Sequence, residues 1–123
     1  MDFVQHDGGR SRYYGKHRAG DCVIRAIAIA TDQDYKTVFE DLTDLAKSKG
    51  LFANCNRVWR KYLRDRGWVE HKHGRDAKDL FDYDMKGRNI AHTRNHLSAV
   101  IDNVNYDTWD NRYLTCWRVW TKT

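Results

Sequence analysis

From Cys22 to Ala30 the chain is apolar at every position except Arg25. Periodicity alone fits such a run to a buried strand or a buried helix. Its recurring alanines, its length and the preceding Asp21 favour a helix, with the Asp21 carboxylate accepting from the free amides of the first turn. A second helix is predicted over 34–49, with Val38, Leu42 and Leu45 in one stripe and Gly50 as its stop. A third is predicted over 56–66, closed by Gly67, and a short fourth over 76–84. The first 20 residues are rich in Gly, Arg and Tyr, show no clean period and read as irregular.

Further on, the pattern changes to strands, predicted over 68–73, 88–93, 96–101, 104–109 and 113–120. Helical and strand textures are separated in sequence, helices first and an antiparallel meander afterwards, which is an α+β plan. Between residues 96–101 and 104–109 lie only Asp102 and Asn103, which tolerate positive φ and suit a two-residue hairpin. No internal repeat, low-complexity tract or linker interrupts the pattern, and 1–123 reads as one domain.

Composition narrows the class. The chain has 123 residues, 41% hydrophobic and 32% charged, enough to bury one core and too mixed in sign for a disordered segment. No apolar run reaches the roughly 18 to 20 residues of a membrane helix, and the N-terminus lacks the pattern of a secretory signal. Three scattered cysteines suit reduced thiols rather than a disulfide framework, so a cytoplasmic protein is expected. So short a chain leaves little room for a deep specificity cleft. The five tryptophans are expected to pack the helices against the sheet.

The net charge of +5 resides in residues 51–94, which hold eleven Lys and Arg against six acids. Within them Arg57, Arg60, Lys61 and Arg64 share one face of the third helix, with Val58, Tyr62 and Leu63 on the other. A stripe of this kind can track phosphates or meet an acidic protein; it is equally the solvated face of an amphipathic helix.

Candidate chemistry centres on Cys22, one residue past a helix cap. Partial positive charge and free amides there lower a thiol pKa and can serve a developing oxyanion. The hairpin supplies partners. With a turn at 102–103, paired positions sum to 205, so Ser98 faces Asp107 and His96 faces Trp109. Side-chain alternation puts all four on one face, which makes Asp107 the diagonal neighbour of His96, about 7 Å away at the backbone. Asp102 lies in the turn and Asp110 has the wrong parity. Trp109 is placed to wall a cleft. The spacings His71-Lys72-His73 and His92-to-His96 occur in zinc sites, but no Cys-x-x-Cys pair accompanies them, and neither a metal nor a cofactor is expected. Gly8-Gly9 lacks the context of a phosphate-binding loop. Cys55 has no partner signature, and Cys116 reads as core.

Gly20-Asp21-Cys22 at the head of a buried helix, a His opening a strand and an acid on the next strand together resemble the papain-like cysteine peptidase superfamily. The stretches 20–31, 96–102 and 106–110 are similar to those of short bacterial and bacteriophage proteins, and the likeness covers roughly residues 20 to 120. It implies a minimal papain-like fold, with Cys22 as nucleophile, His96 as general base and acid, and Asp107 as orienting group. Papain-like enzymes usually carry a Gln about six residues before the cysteine to build the oxyanion hole. Here Lys16 stands in that position, leaving Lys16, His17 or Tyr14 to substitute.

Two functions follow as expectations. One is a small hydrolase of peptide, isopeptide or other amide bonds in a bacterial or virus-infected cell. The other is an inactive binding protein on the same scaffold, engaging nucleic acid or an acidic host protein through Arg57, Arg60, Lys61 and Arg64.

Overall fold

The structure is a computed structural model and describes residues 1–15 and 20–122. It is an α+β arrangement of helices on a mixed sheet. The predicted buried helix is α2 (Cys22–Thr31), closed by Asp32 in the left-handed conformation. It is followed by α3 (Tyr35–Lys49) and α4 (Asn56–Asp65). Gly50 stops α3 as expected, its φ of 66° letting its amide reach the Ala46 and Lys47 carbonyls. The buried stripe of α3 is Tyr35, Val38, Leu42 and Ala46, with Leu45 only half-buried.

Five strands match predicted ones: β2 (Trp68–Lys72), β4 (Arg88–Thr93), β5 (His96–Ile101), β6 (Val104–Asp107) and β7 (Thr115–Lys122). Two expectations fail. The first 20 residues are not wholly irregular: β1 (Asp2–Gln5) pairs in parallel with β6, and α1 (Ser11–Tyr14) follows. Nor is 76–84 a helix. It consists of the short strand β3 (Lys78–Asp79) between two single 3-10 turns, Gly74–Asp76 and Leu80–Asp82. In-strand pairing with β7 and packing of Leu80 outweigh the weak helical pattern of that stretch.

The sheet order is β1-β6-β5-β4-β7-β2, with β3 also on β7. Only β4, β5 and β6 form a meander. The last strand, β7, returns to lie between β4 and β2, and β1 makes the sheet mixed. Alternation along β5 divides two apolar cores between the sheet faces. Leu97 and Ala99 join α2, α3 and α4 in the larger core, while Val100 joins Leu80, Met85, Cys116 and Val119 in the smaller. Trp59, Trp68 and Trp120 are buried as predicted, whereas Trp109 and Trp117 are exposed. Among the described residues, no helix is long and apolar enough to cross a membrane.

Candidate active site

The hairpin between β5 and β6 has the predicted register, with Ile101 opposite Val104 and Ala99 opposite Tyr106. Asp102 and Asn103 take φ values of 48° and 62°, the double positive φ that a tight two-residue turn demands. His96 opens β5 and Asp107 closes β6, and their side chains meet: His96 Nε2 lies 2.7 Å from Asp107 Oδ2. The excluded acids are engaged elsewhere. Asp102 accepts from the Gly87 amide, and Asp110 holds Arg112.

Cys22, the first residue of α2, lies beside the His96 ring, close enough for each group to shift the ionisation of the other. With Nε2 committed to Asp107, Nδ1 is the ring nitrogen left for the thiol. Burial opposes ionisation of Cys22. The hydrogen bonds from His96 and the Leu97 amide, with the positive charges of His96 and Arg25, outweigh it and hold the thiol below its ordinary value. Burial alone would likewise depress His96. Hydrogen bonds to Asp107 and Cys22, and their negative charge, lift the ring to about 9 instead. At Asp107 burial pushes the carboxyl up, but the hydrogen bonds and charge of His96 bring it below the usual range. A falling thiol and a rising imidazole favour a thiolate–imidazolium pair near neutral pH.

Sequence reasoning missed three residues that hold this arrangement. Asn111, fully buried, donates from Nδ2 to Asp107 Oδ2 at 2.8 Å and to Ser98 Oγ at 3.3 Å. Asn105 donates to the same Ser98 hydroxyl at 2.6 Å. Arg25 reaches Asp107 Oδ1 at 3.4 Å. The signal for Asn111 was its place four residues past Asp107, in a loop outside the strand whose parity was being followed. Arg25 was visible as the one charge in an apolar helix.

Asp21 does not cap α2. Its carboxylate is buried and turned toward Arg25, the Tyr35 hydroxyl at 2.7 Å and Arg10 at 3.6 Å. These cations and the hydroxyl are stronger partners than the first-turn amides, which are left without a side-chain cap. Lys16 and His17, proposed for the oxyanion hole, lie outside the described residues. Tyr14 stacks near Phe39 and Tyr35 and does not border the site.

Cys22 and His96 open into a cleft of about 1330 Å³, larger than so short a chain promised. The room comes from borders drawn from distant segments: His6 and Arg10 after β1, Asn54 and Trp59 around α4, His92 and Asn95 before β5, and Trp109. Trp109 is 42% exposed and its ring centre lies 4.9 Å from that of His96, so it walls the cleft as expected and covers the imidazole.

The remaining candidates fall elsewhere. Cys116 is fully buried, and loss of hydration pushes its thiol up to about 11. Cys55 is half-buried at the head of α4. His71 bonds to Thr121, His73 packs on Tyr83 and His92 packs edge-on to Trp59. Among the described residues no group of three metal-ligating side chains converges. On α4 the four basic residues share the outward side, but Arg60 nears Glu70, Lys61 pairs with Asp65, and Arg64 stacks on Trp120. Arg57 is exposed.

No protein-family model, curated protein or solved structure matches the chain. The reading of the site rests on its own geometry.

Proposed function

We propose that the protein is a small papain-like cysteine hydrolase that cleaves a peptide, isopeptide or other amide bond. The observation that carries this reading is the His96–Asp107 hydrogen bond of 2.7 Å beside a helix-terminal Cys22 at the floor of a cleft. In the first half-reaction the Cys22 thiolate attacks the amide carbon, and the C=O electron pair moves onto oxygen. The first-turn amides of α2, which carry no side-chain cap, are the donors available to the developing oxyanion. As the tetrahedral adduct collapses, the imidazolium gives its proton to the departing amine and the C–N bond breaks, leaving a thioester on Cys22. Water then attacks the thioester while His96 takes its proton, and collapse releases a carboxylic acid and the thiolate. Asp107 keeps the ring oriented throughout and stabilises its charged form. Three free thiols suit a reducing cytoplasm, bacterial or virus-infected. The test is amine release from a panel of fluorogenic peptide and isopeptide substrates, with Cys22→Ala lowering turnover by about a thousandfold or more. Undiminished turnover in that variant would sink the proposal.

One observation favours a second reading, a binding protein for nucleic acid or an acidic host protein. Arg60, Lys72 and Arg118 all converge on the single carboxylate of Glu70, which leaves positive charge uncompensated beside Arg57 and Arg64. Salt-sensitive binding to an oligonucleotide that survives Cys22→Ala, and is lost in Arg60→Glu/Lys61→Glu, supports it. Binding indifferent to charge reversal counts against it.

A further inference from the structure

We propose that Arg25 is a positioning residue: its guanidinium ties Asp107 to Asp21 and so governs both the orientation and the charge of the acid that holds His96. The inference rests on the hydrolase reading and names a residue that reading does not require.

Arg25 is three residues past Cys22 in a helix whose other side chains are apolar or small. Its side chain is only 12% exposed, and a lone guanidinium buried there is strongly unfavourable unless it is paired. Two carboxylates pair it. Nη1 meets Asp21 Oδ1, and Nη2 lies 3.4 Å from Asp107 Oδ1, with both acids almost wholly buried. Asp21 continues inward to Tyr35 on α3 and to Arg10. With Cys22 and His96 ionised, charges along the line Cys22, His96, Asp107, Arg25, Asp21 and Arg10 alternate in sign at every step. No like charges are neighbours in it.

Both oxygens of Asp107 are constrained. Oδ2 accepts from His96 and Asn111, while Oδ1 accepts from the Thr108 amide at 2.7 Å and faces Arg25. Apart from His96, Arg25 is the cation on this carboxylate among the described residues. The backbone is fitted around it as well. Gly8, at φ 72°, lies so close to α2 that a Cβ there would sit 3.0 Å from Arg25 Cα.

Electrostatics sets a sign that a merely structural role does not have. Removing a cation raises the proton affinity of every group around it. Loss of Arg25 therefore raises both the Cys22 thiol and the His96 ring, moving both limbs of a pH profile upward. The other titratable or charged groups are His6, Asp7, Arg10 and His92 bordering the cleft and Tyr35 on Asp21, and none of their side chains bonds to the Asp107 carboxylate.

The experiment is the pH dependence of iodoacetamide labelling at Cys22, followed by mass spectrometry on full-length variants whose melting curves show them folded. In Arg25→Gln the acid limb should move up by about one pH unit, so labelling below that limb falls roughly tenfold. Arg25→Lys retains the charge and should keep the acid limb near its wild-type position. Because Arg25→Gln strands Asp21, the same change is also made beside Asp21→Asn and read against Asp21→Asn alone, where an equal upward shift is expected. Folded glutamine variants with an unmoved acid limb would overturn the role of Arg25 and leave the hydrolase reading standing. A wild-type Cys22 no more reactive than Cys55 would overturn both.

Discussion

Cys22 and Cys116 are the same side chain in two regions of one sheet-and-helix arrangement, with their thiols pushed in opposite directions. Cys22 begins α2 at the rim of the larger core, half-buried, facing an imidazole, a backbone amide and a guanidinium. Cys116 lies in β7 inside the smaller core, fully buried among Leu80, Met85, Ala91 and Val100. Burial opposes a thiolate in both places. Only at Cys22 do charged partners outweigh it, so location relative to His96 and Arg25 separates a nucleophile from a packing residue.

The widest gap between the two should appear in alkylation. A thiol at about 11 leaves a thiolate fraction on the order of one in ten thousand at pH 7. Cys22, held below the ordinary thiol value, should therefore label at least about a hundredfold faster than Cys116 in the native protein. His96→Ala removes the main influence lowering Cys22 and leaves burial, which raises it. Its labelling at neutral pH should then fall by roughly ten- to a hundredfold, narrowing the comparison from one side. Equal rates for the three cysteines would erase the distinction altogether.

The pH profile sharpens the same contrast. The thiolate–imidazolium pair exists from the lowered Cys22 value up to the His96 value of about 9. Amide hydrolysis, which needs the imidazolium to protonate the leaving amine, should decline about tenfold per unit above pH 9. Alkylation needs only the thiolate and should persist there. A hydrolysis limb near the ordinary imidazole value of about 6.5 would mean that Asp107 and Cys22 do not raise His96.

At Cys116 the expectation is energetic instead. Cys116→Ala removes a buried sulfur and should cost about 1–2 kcal/mol of stability, read by urea denaturation, with Cys22 labelling unchanged. A change in Cys22 reactivity without a change in stability would mean the regions are coupled.

How legible each region was follows from the range of the contacts involved. The His96–Asp107 pair came from local rules, because a two-residue turn fixes register and a period of two fixes faces. Asp21 looked like a cap because capping is also local. Arg25 is itself a local partner one turn on, but the Tyr35 hydroxyl on the next helix reaches Asp21 only because α2 and α3 are packed together. The strand β1 was illegible for the same reason. Four residues carry little period, and their partner β6 lies about a hundred residues away. The return of β7 between β4 and β2 likewise depends on pairing that no local pattern encodes.

His92 touches both regions and gives the smallest, most discriminating test. Its backbone runs beside Cys116 where β4 pairs with β7, while its ring borders the Cys22 cleft and packs edge-on to Trp59 at 5.2 Å between centres. Burial, reinforced by the positive charges of Arg60 and Arg118, depresses the ring to about 4. The folded protein thus holds His92 neutral where the unfolded chain, at about 6.5, would protonate it. Its contribution to stability is complete above about pH 6.5 and is lost as pH falls toward 4, since the unfolded state binds the extra proton. Stability from urea titrations should therefore fall between pH 6.5 and 4 more steeply in the wild type than in His92→Phe, which keeps the aromatic contact and cannot titrate. Alkylation of Cys22 at neutral pH should be the same in both, because His92 is already uncharged there. Parallel pH slopes in the two proteins would show that the ring is solvated rather than held between the cleft and Trp59 of the larger core.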